Sequence, residues 1–239
     1  MVPGPLIIDV LSIFPEMFRG VLDESIVRRA RDSDLVRVHL TDIRDFTRDR
    51  HRSVDDRPFG GGPGMVMKPE PVFDAVEHVT RERGPGHLIL LTPQGRPFKQ
   101  ARARELSKLE HLVLICGRYE GFDERIRVGL EPEEISIGDY VLTGGEIPAM
   151  AVLDAVIRLL PGAVGAEGAT DEDSFGPDWP GLEYPQYTRP AEYRDMAVPE
   201  ILLSGNHGEI AKWRREMARA RTLARRGDLL EGASGEGKV

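Results

Sequence analysis

Three glycine-bearing loops hold the residues whose types and spacing could do chemistry: "TPQGRP" (92–97), "GRYEGFDERI" (117–126) and "SIGDYVLTGGEIPAM" (136–150). A glycine turn that opens a helix is a common phosphate cradle. A P-loop, however, needs G-x-x-x-x-G-K-[ST], because its lysine reaches the terminal phosphates. Neither "GDYVLTGGE" (138–146) nor the further run "FGGGPGMVM" (59–67) supplies it, and both lack the dinucleotide pattern G-x-G-x-x-G. Metal spacing is poor: there is no H-x-x-x-H, and one cysteine cannot build a thiolate site. Cys116 ends an apolar strand pattern and reads as a small core residue rather than a nucleophile. No G-x-S-x-G elbow supports a serine hydrolase.

What remains is a ligand held mainly by backbone groups, with few charges. Adenine with a sulfonium centre suits that description, since loop N–H and C=O groups can read the adenine edge and no phosphate demands a lysine. S-adenosylmethionine fits, as do other adenosine compounds. The plainer alternative is that the glycines serve only tight turns.

The surrounding elements must bring these loops together. Strand patterns at 6–13, 35–43, 87–92 and 111–116 are interleaved with helical patterns at 15–31, 70–83 and 98–108. This rhythm predicts an α/β fold with a mainly parallel sheet covered on both faces. Ligands of such sheets sit beyond the carboxyl ends of the strands, where the three loops would gather. The helix "IPAMAVLDAVIRLL" (147–160) is apolar on nearly every side, which predicts burial, in part against a second subunit. Residues 161–181 are rich in glycine, proline and acids. They divide the chain into a domain at 1–161, a flexible linker at 162–181 and a small helical domain at 182–239.

Net charge is −8, yet residues 206–227 carry seven bases against two acids and stand at +5, leaving −13 elsewhere. A basic module on an acidic body is compatible with a polyanion partner, although a solvated helix face reads the same way. Apolar runs reach only about five residues, too short for a membrane span. The start lacks a basic leader, and Asp9 interrupts its apolar part, so no signal peptide is expected. With a single cysteine, the cytoplasm is the expected compartment.

Seven blocks then carry a resemblance: "DVLSIFPEMF" (9–18), "VDDRPFGGGPGMVMKPEP" (54–71), "LICGRYEGFDERI" (114–126), "EISIGDYVLTGGEIPAM" (134–150), "EDSF" (172–175), "YPQYTRP" (184–190) and "VPEILLSGNHGEIAKWR" (198–214). In this order they resemble the bacterial tRNA (guanine-N1)-methyltransferases that modify guanosine 37, beside the anticodon. The resemblance spans nearly the whole chain. It implies a SPOUT-type methyltransferase domain with a C-terminal trefoil knot, a linker and a helical tRNA-binding domain. It also implies a homodimer with the active site shared between subunits. The knot follows from the resemblance alone, because ordinary topology rules treat true knots as essentially absent.

Carried over by motif, the resemblance implies that S-adenosylmethionine is held by Leu91, Thr92, Pro93 and Gly95 of the first loop. Gly117, Arg118, Tyr119 and Glu120 contribute from the second, and Ile137, Gly138, Asp139, Tyr140, Val141, Leu142, Gly144, Gly145 and Pro148 from the third. It implies Asp173 as general base and Arg158 as the group that stabilises charge on guanine O6. Chemistry alone does not choose Asp173 over Asp171 and Glu172, and Asp154 and Arg158 have the i, i+4 spacing of an ordinary helix ion pair. The implied RNA contacts are Asp56, Arg57, Gly60, Gly61 and Gly62, with Lys212, Arg215 and Arg219 on the basic helix. The family is also associated with Mg²⁺; Glu120, Asp171 and Asp173 are the conceivable participants, and no spacing fixes a site. The alternatives are a knotted methyltransferase acting on another RNA position and a non-catalytic RNA-binding protein.

Overall fold

The computed structural model describes residues 4–165, 168 and 170–231, the last by its backbone alone. The chain divides into two compact units, Met1–Glu167 and Gly168–Val239.

The first unit is built on a five-stranded sheet. In chain order its strands are β1 (Leu6–Ser12), β2 (Val36–Asp42), β3 (His87–Pro97), β4 (His111–Cys116) and β5 (Glu133–Ser136). Their spatial order is β2-β1-β4-β3-β5, and every neighbouring pair is parallel. The helices are α1 (Ser25–Asp32), α2 (Pro69–Arg83), α3 (Gln100–Leu106), α4 (Glu124–Leu130) and α5 (Glu146–Ile157). Apolar clusters lie on both faces of the sheet, one with α1, α3 and α5 and the other with α2 and α4. All six residues of β4 are buried, which accounts for its apolar run from Leu112 to Cys116.

Three elements depart from the sequence pattern. The helix expected over 15–31 is interrupted at Asp23–Ser25, where Glu24 is extended and Ser25 takes φ +53°. Strand β3 runs on to Pro97, with a register shift between Leu91 and Arg96. Pro93 offers no N–H to the ladder, so the chain loops out there and rejoins β5 at Arg96. Strand β5 itself, "EEIS", shows no apolar run because its acids are paired: Glu133 accepts from Arg102 and Glu134 from Arg127 at 2.9 Å.

Asp9 is fully buried in β1. Arg83 grips it with two donors, Nε at 2.9 Å and Nη2 at 2.8 Å, and His111 Nε2 lies 2.8 Å from the same carboxylate. A buried charge needs such partners.

The second unit is dominated by α6 (His207–Arg226), capped by Asn206 Oδ1, which accepts from Glu209 N. A small hairpin, Glu192–Tyr193 with Met196–Ala197, precedes it. The chain leaving the stretch expected as a linker bonds to this helix. Leu182 N donates to Thr222 Oγ1 at 2.9 Å, and Trp179 Nε1 donates to Leu182 O at 2.9 Å. Among the described residues, no helix is long and apolar enough to cross a membrane.

Candidate active site

The three loops do meet, at the carboxyl ends of β3, β4 and β5. They enclose a cleft of about 300 Å³, the size of a small-molecule site. Of the residues expected to hold a ligand, Leu91, Thr92, Pro93, Gly117, Arg118, Tyr119, Glu120, Ile137, Gly138, Tyr140, Val141, Leu142, Gly144, Gly145 and Pro148 line it. Gly95 and Asp139 do not. Gly95 instead lets β3 approach β5, since a Cβ there would collide with the Ile135 backbone. The cleft also takes in Gln94, Phe122, Arg127, Ile135, Ser136 and Thr143. Arg127 and Phe122 belong to α4 and its approach, a helix that the sequence pattern hides inside a polar loop.

The loops are sewn to one another by backbone bonds. Gly145 N donates to Gly117 O at 2.8 Å, tying the start of α5 to the end of β4. Ser136 Oγ closes the third loop, accepting from Gly138 N at 3.2 Å and donating to Gly138 O at 3.1 Å. The 55–67 segment is held by a two-residue ladder between Asp55–Asp56 and Val66–Met67. Its far side joins the second loop, where Glu120 N donates to Met65 O and Met67 N to Gly121 O, both at 2.9 Å. Asp56, Arg57, Gly60, Gly61 and Gly62 are all exposed on this segment. Beside them Phe59 is 99% exposed, an aromatic that sequence reasoning passed over.

The charge balance of the cleft is specific. Arg118 Nε bonds Glu146 Oε2 at 2.9 Å, and Glu146 is itself fully buried and accepts from Ser12 Oγ at 2.7 Å. Arg127 is committed to Glu134 and Glu124. Both guanidiniums are therefore neutralised by the protein's own acids. Glu120, by contrast, has no ion-pair partner among the described residues. Around these charges lie Leu91, Ile135, Ile137, Leu142 and Pro148, an apolar wall. Burial, with Asp55 nearby, raises the Tyr119 hydroxyl above its ordinary range. Cys116 is wholly buried, and desolvation followed by the Glu146 charge pushes its thiol far up, which removes it as a nucleophile.

Arg158 caps the carboxyl end of α5, partly buried, and its N–H closes on Asp154 O at 3.1 Å. Asp173 belongs to the second unit, in a turn between Asp171 and Gly176. Lys212, Arg215 and Arg219 lie exposed along α6 and make no salt bridge among the described residues. Among the described residues no three His, Cys, Asp or Glu side chains gather as a metal cage.

The sequence model of the family described as tRNA (Guanine-1)-methyltransferase TrmD matches residues 6–232. Among similar proteins, the tRNA (guanine-N(1)-)-methyltransferase of Moorella thermoacetica is 57% identical over 225 residues, covering 93% of this chain and 89% of its own. That of Geobacillus kaustophilus is 56% identical over 224 residues, with 94% and 91% covered. That of Dictyoglomus turgidum is 56% identical over 227 residues, with 95% and 91% covered.

Proposed function

The chain belongs to the tRNA (guanine-1)-methyltransferase family, and from that membership we propose that it transfers a methyl group from S-adenosylmethionine to N1 of guanosine 37 in tRNA. The observation that carries the donor assignment is the charge balance of the cleft. A pocket whose arginines are already neutralised, and whose remaining carboxylate is Glu120, suits a ligand with positive centres and no phosphate. Its apolar wall suits adenine and the ribose edge. S-adenosylmethionine bound there supplies an electrophilic methyl on a sulfonium centre.

The chain's own residues do the rest. Guanine N1 carries a proton and is a poor nucleophile until it leaves. Asp173 takes that proton as general base. Negative charge then builds on O6, where the guanidinium of Arg158 stabilises it as an oxyanion hole does. The 55–67 segment presents Asp56, Arg57 and the glycine run to the RNA, and exposed Phe59 offers a stacking face to an unpaired base. Lys212, Arg215 and Arg219 grip phosphates, a contact that positions the RNA without reading it.

The enzyme works as a cytoplasmic homodimer with the active site shared between subunits. Exposed apolar side chains support that assembly: Ile147 and Ala151 on the open side of α5, with Phe14 and Met17 beside Arg118. Methylation of tRNA transcripts bearing guanosine or adenosine at position 37, with mapping of the product, tests the reading. Transfer to the guanosine transcript only is the expected result; equal transfer to both overturns the site assignment.

A further inference from the structure

Helix α6 carries two stripes of different character. Lys212, Arg215 and Arg219 face outward, whereas Arg214, Ala218 and Thr222, spaced four apart, face the 172–184 segment. Glu172 is held from both sides there. Its Oε2 accepts from the Tyr184 hydroxyl at 2.9 Å and lies 3.6 Å from Arg214 Nη1. The Arg214 guanidinium in turn sits over the Tyr184 ring, 4.7 Å from its centroid. Burial first, and Glu172 next, raise the Tyr184 hydroxyl, which keeps it a donor.

Glu172 is the immediate neighbour of Asp173. The turn they share is tight: a Cβ on Gly176 would meet Asp173 O at 3.1 Å and crowd Asp171 O as well. Its exit is pinned by Phe175 N donating to Gly181 O at 2.8 Å, and Ser174 Oγ accepts from Glu183 N at 3.1 Å. The turn is thus tied at its exit to the 181–183 backbone and at Glu172 to Tyr184 and Arg214.

We propose that Glu172, Tyr184 and Arg214 form a positioning cluster that fixes the Asp173 turn to the helix gripping the RNA. Arg215 on the outer stripe takes phosphate while its neighbour Arg214 holds the base-bearing turn from within. RNA bound along α6 thereby sets where the Asp173 carboxylate stands. This rests on the reading of Asp173 as general base. None of the three touches the reacting atoms. They act through Asp173, where a small misplacement is costly in rate.

The full-length enzyme is assayed in single turnovers with saturating tRNA transcript and saturating S-adenosylmethionine, and in the steady state with the transcript varied to obtain its KM. Glu172→Gln removes the charge facing Arg214; Tyr184→Phe removes only the hydroxyl bond and keeps the ring, so it guards against misfolding of the first variant. Each is expected to lower the rate about tenfold, with the KM for tRNA within about twofold. The double variant should be no slower than the slower single, since both break one cluster. The pH profile of the residual rate should keep its apparent pKa, because Asp173 is still the base. A raised KM with unchanged rate, additive losses or a displaced pKa each overturns the cluster. Asp173→Ala separates the two readings. If that variant turns over normally, the base assignment fails; if it is inactive while Glu172→Gln and Tyr184→Phe run at full rate, only the positioning cluster fails.

Discussion

Arg118 Nε lies 2.9 Å from Glu146 Oε2, and this single ion pair joins the loop after β4 to the first residue of α5. Glu146 is fully buried, so its carboxylate has no solvent to replace the guanidinium. Removing one partner of such a pair strands the other. Glu146→Ala is expected to cost about 3 kcal/mol in a urea denaturation series. Glu146→Gln, which keeps an acceptor for Ser12, should cost less. Equal losses from the two variants would show that volume, not charge, is what the site needs.

Asp173→Ala should lower methyl transfer by about 10²–10⁴-fold while binding of S-adenosylmethionine, followed calorimetrically, stays unchanged. Arg158→Ala should lower it by about 10²–10³-fold. If the donor no longer binds in either variant, the residue belongs to the donor pocket instead.

Arg215→Ala combined with Arg219→Ala should weaken tRNA binding and flatten the plot of log affinity against log salt by roughly one to two units. An unchanged slope returns this face of α6 to ordinary solvation.

Cys116 gives a pH-dependent prediction. Its thiol is pushed well above the ordinary value of 9.0 by burial, so the unfolded chain loses that proton first. The resulting stability is fully present below about 9 and is lost as pH rises from there toward the folded value. Cys116→Ala should therefore flatten the alkaline limb of urea midpoints against pH. At pH 8 the native wild-type protein should resist a thiol reagent that labels the unfolded chain at once.

Much of this was legible in the sequence. Strands β1, β2 and β4 show their period or their apolar runs, two of the three loops were located from the strands that end in them, and the third from its glycines. The rest was hidden for physical reasons. Strand β5 reads as polar because its acids are satisfied by Arg102 and Arg127, partners far off or not obvious in the chain. That the glycine at 95 lets two backbones meet was also not legible, because the strand it approaches was hidden. Within the stretch 162–181 expected as a linker, composition did not show the ion pair of Glu172 with Arg214, because its partner lies about forty residues later in the chain.

The nearly full exposure of Phe59 has a practical consequence. An aromatic at the tip of a glycine-rich loop is a ready cut site for a protease of chymotrypsin specificity. The loop therefore works as a built-in footprint. Cleavage after Phe59 should be fast in the free enzyme and slow once tRNA covers it, and that ratio reads occupancy without a label and without turnover.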